Sequence, residues 1–214
     1  LTVVGVMFWG AVDMWDPAMS TLSLMGVSVV ISVVLGIPLG VWCSQNDRVE
    51  SAIRPVLDAM QTMPAFVYLL PAIFLFGIGN TGAAMAIIIY AMPPVVRLTN
   101  LGIRLVPFEV VEASHAFGAT YLQRLLGTLI PLALPNVFAG INQTIMMALA
   151  MVVIASMIGV RGLGIPVLQA IQNQYLALGF MNGLAIVGLA IIFDRVSQKY
   201  GKRLQEHRGG HDHG

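Results

Sequence analysis

Residues 59–96 read AMQTMPAFVYLLPAIFLFGIGNTGAAMAIIIYAMPPVV, a block of 38 positions without Asp, Glu, Lys or Arg. About 20 apolar residues already cross the hydrocarbon core of a bilayer, so the block is too long for one transmembrane helix. At its centre lies Gly77-Ile78-Gly79-Asn80-Thr81-Gly82, a run typical of a turn. The block therefore predicts a hairpin of two short spans, residues 64–76 and 83–96.

The rest of the chain has the same apolar character. Of its 214 residues 57% are hydrophobic and 10% are charged, whereas about a quarter of a soluble domain is charged. The sequence predicts an all-α membrane protein, a polytopic helical bundle with about five transmembrane helices. Further spans are expected at 18–43, 129–158 and 176–193, with a partial one at 1–12.

The positions of the cations predict the orientation in the membrane. When the polar tail, residues 195–214, is placed in the cytoplasm, ten of the eleven Lys and Arg residues lie on the cytoplasmic side. Only Arg161 lies outside, together with Asp13 and Asp16. This bias satisfies the positive-inside rule. We therefore expect a membrane domain over 1–194 with a cytoplasmic loop at 97–127.

Composition also disfavours several other classes of site. A net charge of +1 without a basic stripe gives no indication of nucleic-acid binding. Cys43 is the single cysteine, which excludes an intramolecular disulfide and a cysteine-based metal site. The tail histidines are expected to be solvated rather than metal-bound; they are His207, His211 and His213. The run at 1–12 lacks the features of a signal peptide, and we expect further residues upstream of Leu1.

The cytoplasmic loop has the pattern of a helix–turn–helix elbow. Pro107 suits the start of a helix, and Glu109 and Glu112 place negative charge in its early turns. Gly118 can end that helix, and Thr120-x-x-Gln123 has the form of a capping box for the next one. The alternative is a plain amphipathic connector without a partner.

The order Glu112-Ala113-Ser114, Gly118, then Thr128-x-Ile130-Pro131 resembles the EAA loop of bacterial ABC importer permeases. In that family the loop forms a coupling helix that docks in a groove of a cytoplasmic ATPase. The resemblance implies ATPase-docking roles for Glu112, Ala113, Ser114, Gly118 and Ala119.

Four other stretches are similar to the glycine betaine/proline betaine branch of these permeases. They are residues 57–68, 76–80, 142–144 and 151–158. The resemblance implies a type I importer permease of the bacterial inner membrane that carries a quaternary-ammonium compatible solute. Its implied partners are an ATPase dimer that binds ATP and Mg, a second permease copy and a separate solute-binding protein. Membrane lipid surrounds such a permease, and no catalytic residue is expected in this chain.

Two alternatives remain beside this function. One is an ABC permease for another small polar solute, such as an amino acid or choline. The other is an ion-coupled secondary transporter, which the lack of acidic residues in the predicted spans disfavours. The chain lacks a Gly-x-x-x-x-Gly-Lys-Ser/Thr loop, so we do not expect it to bind ATP.

Polar and aromatic residues within the spans are candidates for the solute path. Asn142 and Gln143 are costly in lipid, so each should face protein or a watery cavity; interhelical hydrogen bonding and path lining both remain open. The aromatic faces of Phe66 and Tyr68 could attract a quaternary ammonium group, although interfacial anchoring is the more ordinary use. The resemblance also implies an outer gate, for which the candidates are Arg161, Gly162 and Gly164. A plain interfacial position is the alternative for Arg161. Two Gly-x-x-x-Gly patterns, which begin at Gly36 and Gly179, permit close helix packing. The first contains Pro38, so a kink or bend there is an equal alternative.

Overall fold

The computed structural model describes residues 15–156, 159–160 and 162–209, except for the side chains at 189, 193, 194 and 197–209. The partial span predicted at 1–12 and the gate candidate Arg161 lie outside these residues. His211 and His213 lie outside them as well, and the side chain of His207 is not among those described.

The described residues form helices joined by short turns, with no strand among them. Three of the helices are long and apolar enough to cross a membrane, and a bent helix pair can supply a fourth span. The predicted all-α membrane bundle is therefore confirmed. In chain order the elements are α1 Trp15–Gln45, α2 Asp47–Thr62, α3 Ala65–Phe76, α4 Asn80–Arg104, α5 Phe108–Ala116, α6 Tyr121–Arg124, a π-helical turn Leu125–Leu129, α7 Ile130–Ser156, α8 Gly164–Gln172 and α9 Leu176–Gly209.

Helix α4 lies at the centre of the bundle, between α1 and α7. Glycines permit this close packing: a Cβ at Gly40 would lie 2.7 Å from the Val96 carbonyl oxygen, and one at Gly140 would lie 3.0 Å from Val95 Cα. The packing role predicted for the pattern at Gly36 and Gly40 is therefore confirmed. In the second pattern only Gly179 packs closely, against Ala170 of α8, whereas a Cβ at Gly183 would meet nothing within 4 Å.

The predicted hairpin is present, with a turn between α3 and α4. Gly77 and Gly79 adopt φ angles of 76° and 156°, which a side chain would disfavour. Residues 97–104, however, are the last two turns of α4 rather than part of the cytoplasmic loop. In these two turns Arg97 and Arg104 form ion pairs with carboxylates of α2.

The segment before the hairpin is a helix, α2, and not an open loop. Asn46 caps it by accepting hydrogen bonds from the backbone N–H groups of Arg48 and Val49. Pro64 follows its end, and α3 then departs at an angle of 101°. The predicted span 64–76 is therefore the second arm of a broken helix pair.

Candidate functional site

The first helix of the elbow, α5, has well-defined ends. Pro107 precedes it, and Gly118 follows it with a φ of 75°. The Gly118 N–H donates to the His115 carbonyl (2.9 Å), and the Ala119 N–H donates to the Ser114 carbonyl (3.1 Å). These two bonds form a Schellman motif, so Gly118 ends the helix as predicted.

The second helix begins at the predicted capping box. The Thr120 hydroxyl accepts a hydrogen bond from the Gln123 N–H, and the Gln123 side chain accepts one from the Thr120 N–H. The chain then widens into the π-helical turn before α7. Pro131 lacks an N–H group and so cannot donate the regular bond to Gly127, which favours such a local change of pitch. The elbow is thus a helix–turn–helix, as the sequence predicts.

The surface of the elbow combines small, acidic and aromatic side chains. Glu112, Ala113 and Gly118 are exposed, whereas Ser114 and Ala119 are partly buried. The Ser114 hydroxyl donates to the Val111 carbonyl at 2.7 Å, so this side chain is engaged within the helix. The predicted docking residues are brought together here, at the turn between two helices.

Two aromatic residues at this surface were missed by the sequence reasoning. Phe117 is 92% exposed and Phe108 is 72% exposed. Exposed rings at both ends of α5 add apolar area to the surface of the elbow. Their position beside Pro107 and Gly118, which mark the ends of that helix, was the signal available in the sequence.

The other side of the elbow packs on the bundle. Ile103 at the end of α4, Leu125 and Leu129 in the π-helical turn, and Ala133 and Val137 in α7 form one buried apolar cluster. Val106 and Val111 pack against it from the elbow. A displacement of the elbow must therefore move the ends of α4 and α7.

A cleft of about 490 Å³ opens beside the C-terminal half of α4. It extends from Arg104, at the end of that helix, to Pro94 and Gln143, which lie near the middle of α4 and α7. At 1.5 Å per residue this is a depth of about 15 Å. Polar side chains line much of it: Glu50, Arg54, Gln61, Arg97 and Asn100.

The adjacent amides of α7 occupy different surroundings. Gln143 is exposed and lines the cleft, whereas Asn142 is half-buried. This is the arrangement that the 100° rotation between neighbouring helical residues predicts. Gln143 therefore faces a space that can hold water or solute.

The two aromatic candidates of α3 also differ. Phe66 is 55% exposed, while Tyr68 is 7% exposed. The Tyr68 ring meets Tyr90 edge-on at 5.5 Å, and its hydroxyl donates to the Met60 carbonyl. Within this chain Tyr68 joins α2, α3 and α4, and Phe66 has the more accessible aromatic face.

At the opposite end of the bundle, Gly162 and Gly164 are buried. A Cβ at Gly162 would lie 2.6 Å from Ser156 Oγ and 2.7 Å from Thr21 Oγ1, and one at Gly164 would lie 2.5 Å from the Val153 carbonyl oxygen. The loop is also bonded to α1, because the Leu163 N–H donates to Thr21 Oγ1 at 3.0 Å. These two gate candidates are thus closely packed, Gly162 against α1 and α7 and Gly164 against α7.

The long apolar helices, with the elbow at one end of the bundle and the buried loop at 162–164 at the other, define a helical membrane protein. Residues 15–206 match the binding-protein-dependent transport system inner membrane component family, and the chain belongs to this family. The family and the apolar helices make it a multi-pass membrane protein.

Among curated relatives, the chain is 49% identical over 197 residues to the glycine betaine transport system permease protein OpuAB of Bacillus subtilis. That match covers 92% of this chain and 70% of the relative. It is also 49% identical over 201 residues to the glycine betaine/proline betaine transport system permease protein ProW of Escherichia coli, covering 94% of this chain and 57% of the relative. The chain thus spans little more than half the length of ProW.

Solved structures have the same fold. The inward-facing MetNI methionine ABC transporter superposes with a TM-score of 0.80 at 21% identity, covering 89% of this chain and 97% of the other. A structure of an amino acid ABC transporter with histidines gives a TM-score of 0.75 at 19% identity, over 92% of this chain and 97% of the other.

Proposed function

We propose that this chain is the permease of an ATP-driven importer for glycine betaine, proline betaine or a related quaternary-ammonium solute. The relatives named for these solutes share about half of their aligned residues with it across more than nine-tenths of its length. A solute-binding protein delivers the solute at the outer face. A separate ATPase dimer binds ATP and Mg and hydrolyses the nucleotide, and a second copy of the permease completes the pore.

The elbow is the proposed docking site for the ATPase, and its geometry is the observation that carries this proposal. Glu112, Ala113 and Gly118 present an accessible surface, and Phe108 and Phe117 add exposed apolar area at its two ends. Because the inner side of the elbow packs on α4 and α7, a movement imposed there reaches the membrane helices directly.

The cleft is proposed as the cytoplasmic part of the solute path. Gln143 lines its deep end, where a polar group facing lipid would be costly. Phe66 offers a partly exposed ring to a cation, and Asn142 lies beside Gln143 on the same helix. At the opposite end of the bundle, Gly162 and Gly164 are proposed to close the path while the loop that contains them stays packed against α1 and α7.

The test is transport by the reconstituted complex of permease, ATPase and binding protein in vesicles. We expect uptake of radiolabelled glycine betaine to require ATP on the ATPase side. Uptake driven by an ion gradient in vesicles without the ATPase would overturn the proposal.

Within the same assay, Glu112→Lys should weaken co-purification of the ATPase and lower uptake by about tenfold, since reversing one interfacial charge can cost on the order of 1.4 kcal/mol. Asp16→Lys, an exposed substitution of equal charge change at the other end of the bundle, is the control for co-purification of the ATPase. Retention of both co-purification and uptake by Glu112→Lys would contradict the docking assignment.

A further inference from the structure

Helix α2 is attached to the bundle in a different way from its neighbours. Helices α1, α4 and α7 meet through glycines, at distances that leave no room for a Cβ. By contrast, α2 is joined to α4 by ion pairs together with an apolar cluster. In that cluster Cys43, Leu57 and Val96 are buried, and Leu39, Val49, Ile53, Met60 and Met92 pack against them.

Arg104 is the centre of the contacts at the N-terminal end of α2. Its guanidinium contacts Asp47 Oδ1 at 2.7 Å and Glu50 Oε2 at 2.9 Å, and it donates to the Cys43 carbonyl at 3.1 Å. Asn100 supports the arrangement, since it donates to Glu50 Oε1 at 3.1 Å and accepts from Arg104 Nε at 3.0 Å. This cluster lies immediately before the elbow, because Arg104 is the last residue of α4 and α5 begins at Phe108.

A second ion pair holds α2 near its other end, where Arg97 of α4 meets Asp58. Two residues further along, the Met60 carbonyl accepts the hydroxyl hydrogen of Tyr68 across the bend between α2 and α3. Polar contacts therefore hold both ends of α2, to α4 at its start and to α4 and α3 near its end.

We propose that α2 is a connecting arm that carries the movement of the elbow to α3, and that Arg97 and Arg104 are the positioning residues that hold it. Because ion pairs tie both ends of α2 to α4, elbow movement that displaces the end of α4 would also displace α2. Through the contact of Tyr68 with the Met60 carbonyl, it would displace α3 with Phe66 as well. This role rests on the proposed docking of an ATPase at the elbow.

The experiment is a charge swap between Asp58 and Arg97 in the reconstituted complex, with solute transported per ATP hydrolysed as the readout. Asp58→Arg and Arg97→Asp should each lower this ratio by about threefold or more, and the double variant should recover most of it, because only the double variant restores an opposite-charge pair. Asp58→Asn is a milder variant of similar shape and should lower the ratio in the same direction. Arg104→Gln tests the other end of α2 and should also lower it.

Arg48→Asp is the matched control. It makes the same change of charge as Arg97→Asp, but among the described residues Arg48 has no ion pair across to α4. We expect its transport ratio to equal that of the unmodified complex.

Two results would overturn the proposal that α2 is a connecting arm. The single variants could retain the normal ratio, or the double variant could fail to recover it while the ATPase still co-purifies. Co-purification reports on docking by itself, so failure of the arm and failure of the docking proposal are distinguishable.

Discussion

Thr21 is a buried residue whose hydroxyl joins two separate backbone groups at the end of the bundle opposite the elbow. It donates to the Pro17 carbonyl at 2.9 Å and accepts from the Leu163 N–H at 3.0 Å. Thr21→Val keeps the shape but leaves that buried N–H without its acceptor, at a cost of about 1–3 kcal/mol. We expect hydrogen exchange at the Leu163 amide to become about 10- to 100-fold faster, because local opening of the loop becomes easier.

Ser28→Ala is the control at the residue scale. Ser28 is equally buried on the same helix, but its hydroxyl donates only to the Leu24 carbonyl one turn earlier. This variant should leave exchange at Leu163 unchanged, and Thr21→Ser should retain most of the protection. Equal exchange rates in Thr21→Val and the unmodified chain would show that the packing of the loop at Leu163 does not depend on this hydrogen bond.

At the scale of the elements, the crossing of α1 and α4 depends on Gly40. An added Cβ would lie 2.7 Å from the Val96 carbonyl oxygen, a backbone atom that cannot rotate away. Gly40→Ala should therefore destabilise the protein by about 1–3 kcal/mol despite its better helix propensity. Gly26→Ala on the same helix meets nothing within 4 Å and should be neutral or stabilising by up to about 1 kcal/mol. Thermal unfolding in detergent compares the two, and equal midpoints would contradict the close approach.

The elements also show which features a sequence can predict. The turn at Gly77–Asn80, the end of α5 at Gly118 and the capping box at Thr120 are set by residues a few positions apart, and all were predicted. The attachment of α2 was not, because Asp58 and Arg97 are 39 positions apart and nothing local pairs them. The burial of Tyr68 likewise depends on Tyr90 of another helix. Turns and helix ends could thus be predicted from the sequence, because neighbouring residues determine them. Contacts between helices that are distant in the sequence could be identified only from the structure.

At the scale of the whole molecule, the helix bundle has two distinct ends, which a membrane would separate. One end contains Arg104 with the elbow, and the other contains the Gly77 turn and the Leu163 loop. The positive-inside rule predicts that the arginine-rich end is cytoplasmic. We therefore expect Asn173→Cys, at the end of α8, to react with a membrane-impermeant maleimide in intact cells. Ser51→Cys, on α2, should react only after the membrane is opened.

Both sites suit this labelling experiment because their side chains are exposed, whereas the native Cys43 is 2% exposed and should give little background. The unmodified chain measures that background directly. If Ser51→Cys were the variant labelled in intact cells, the elbow would face outward, away from any cytoplasmic ATPase. The orientation, the docking site and the proposed connecting arm would then fail together, since each requires the end of α4 at Arg104 to lie in the cytoplasm.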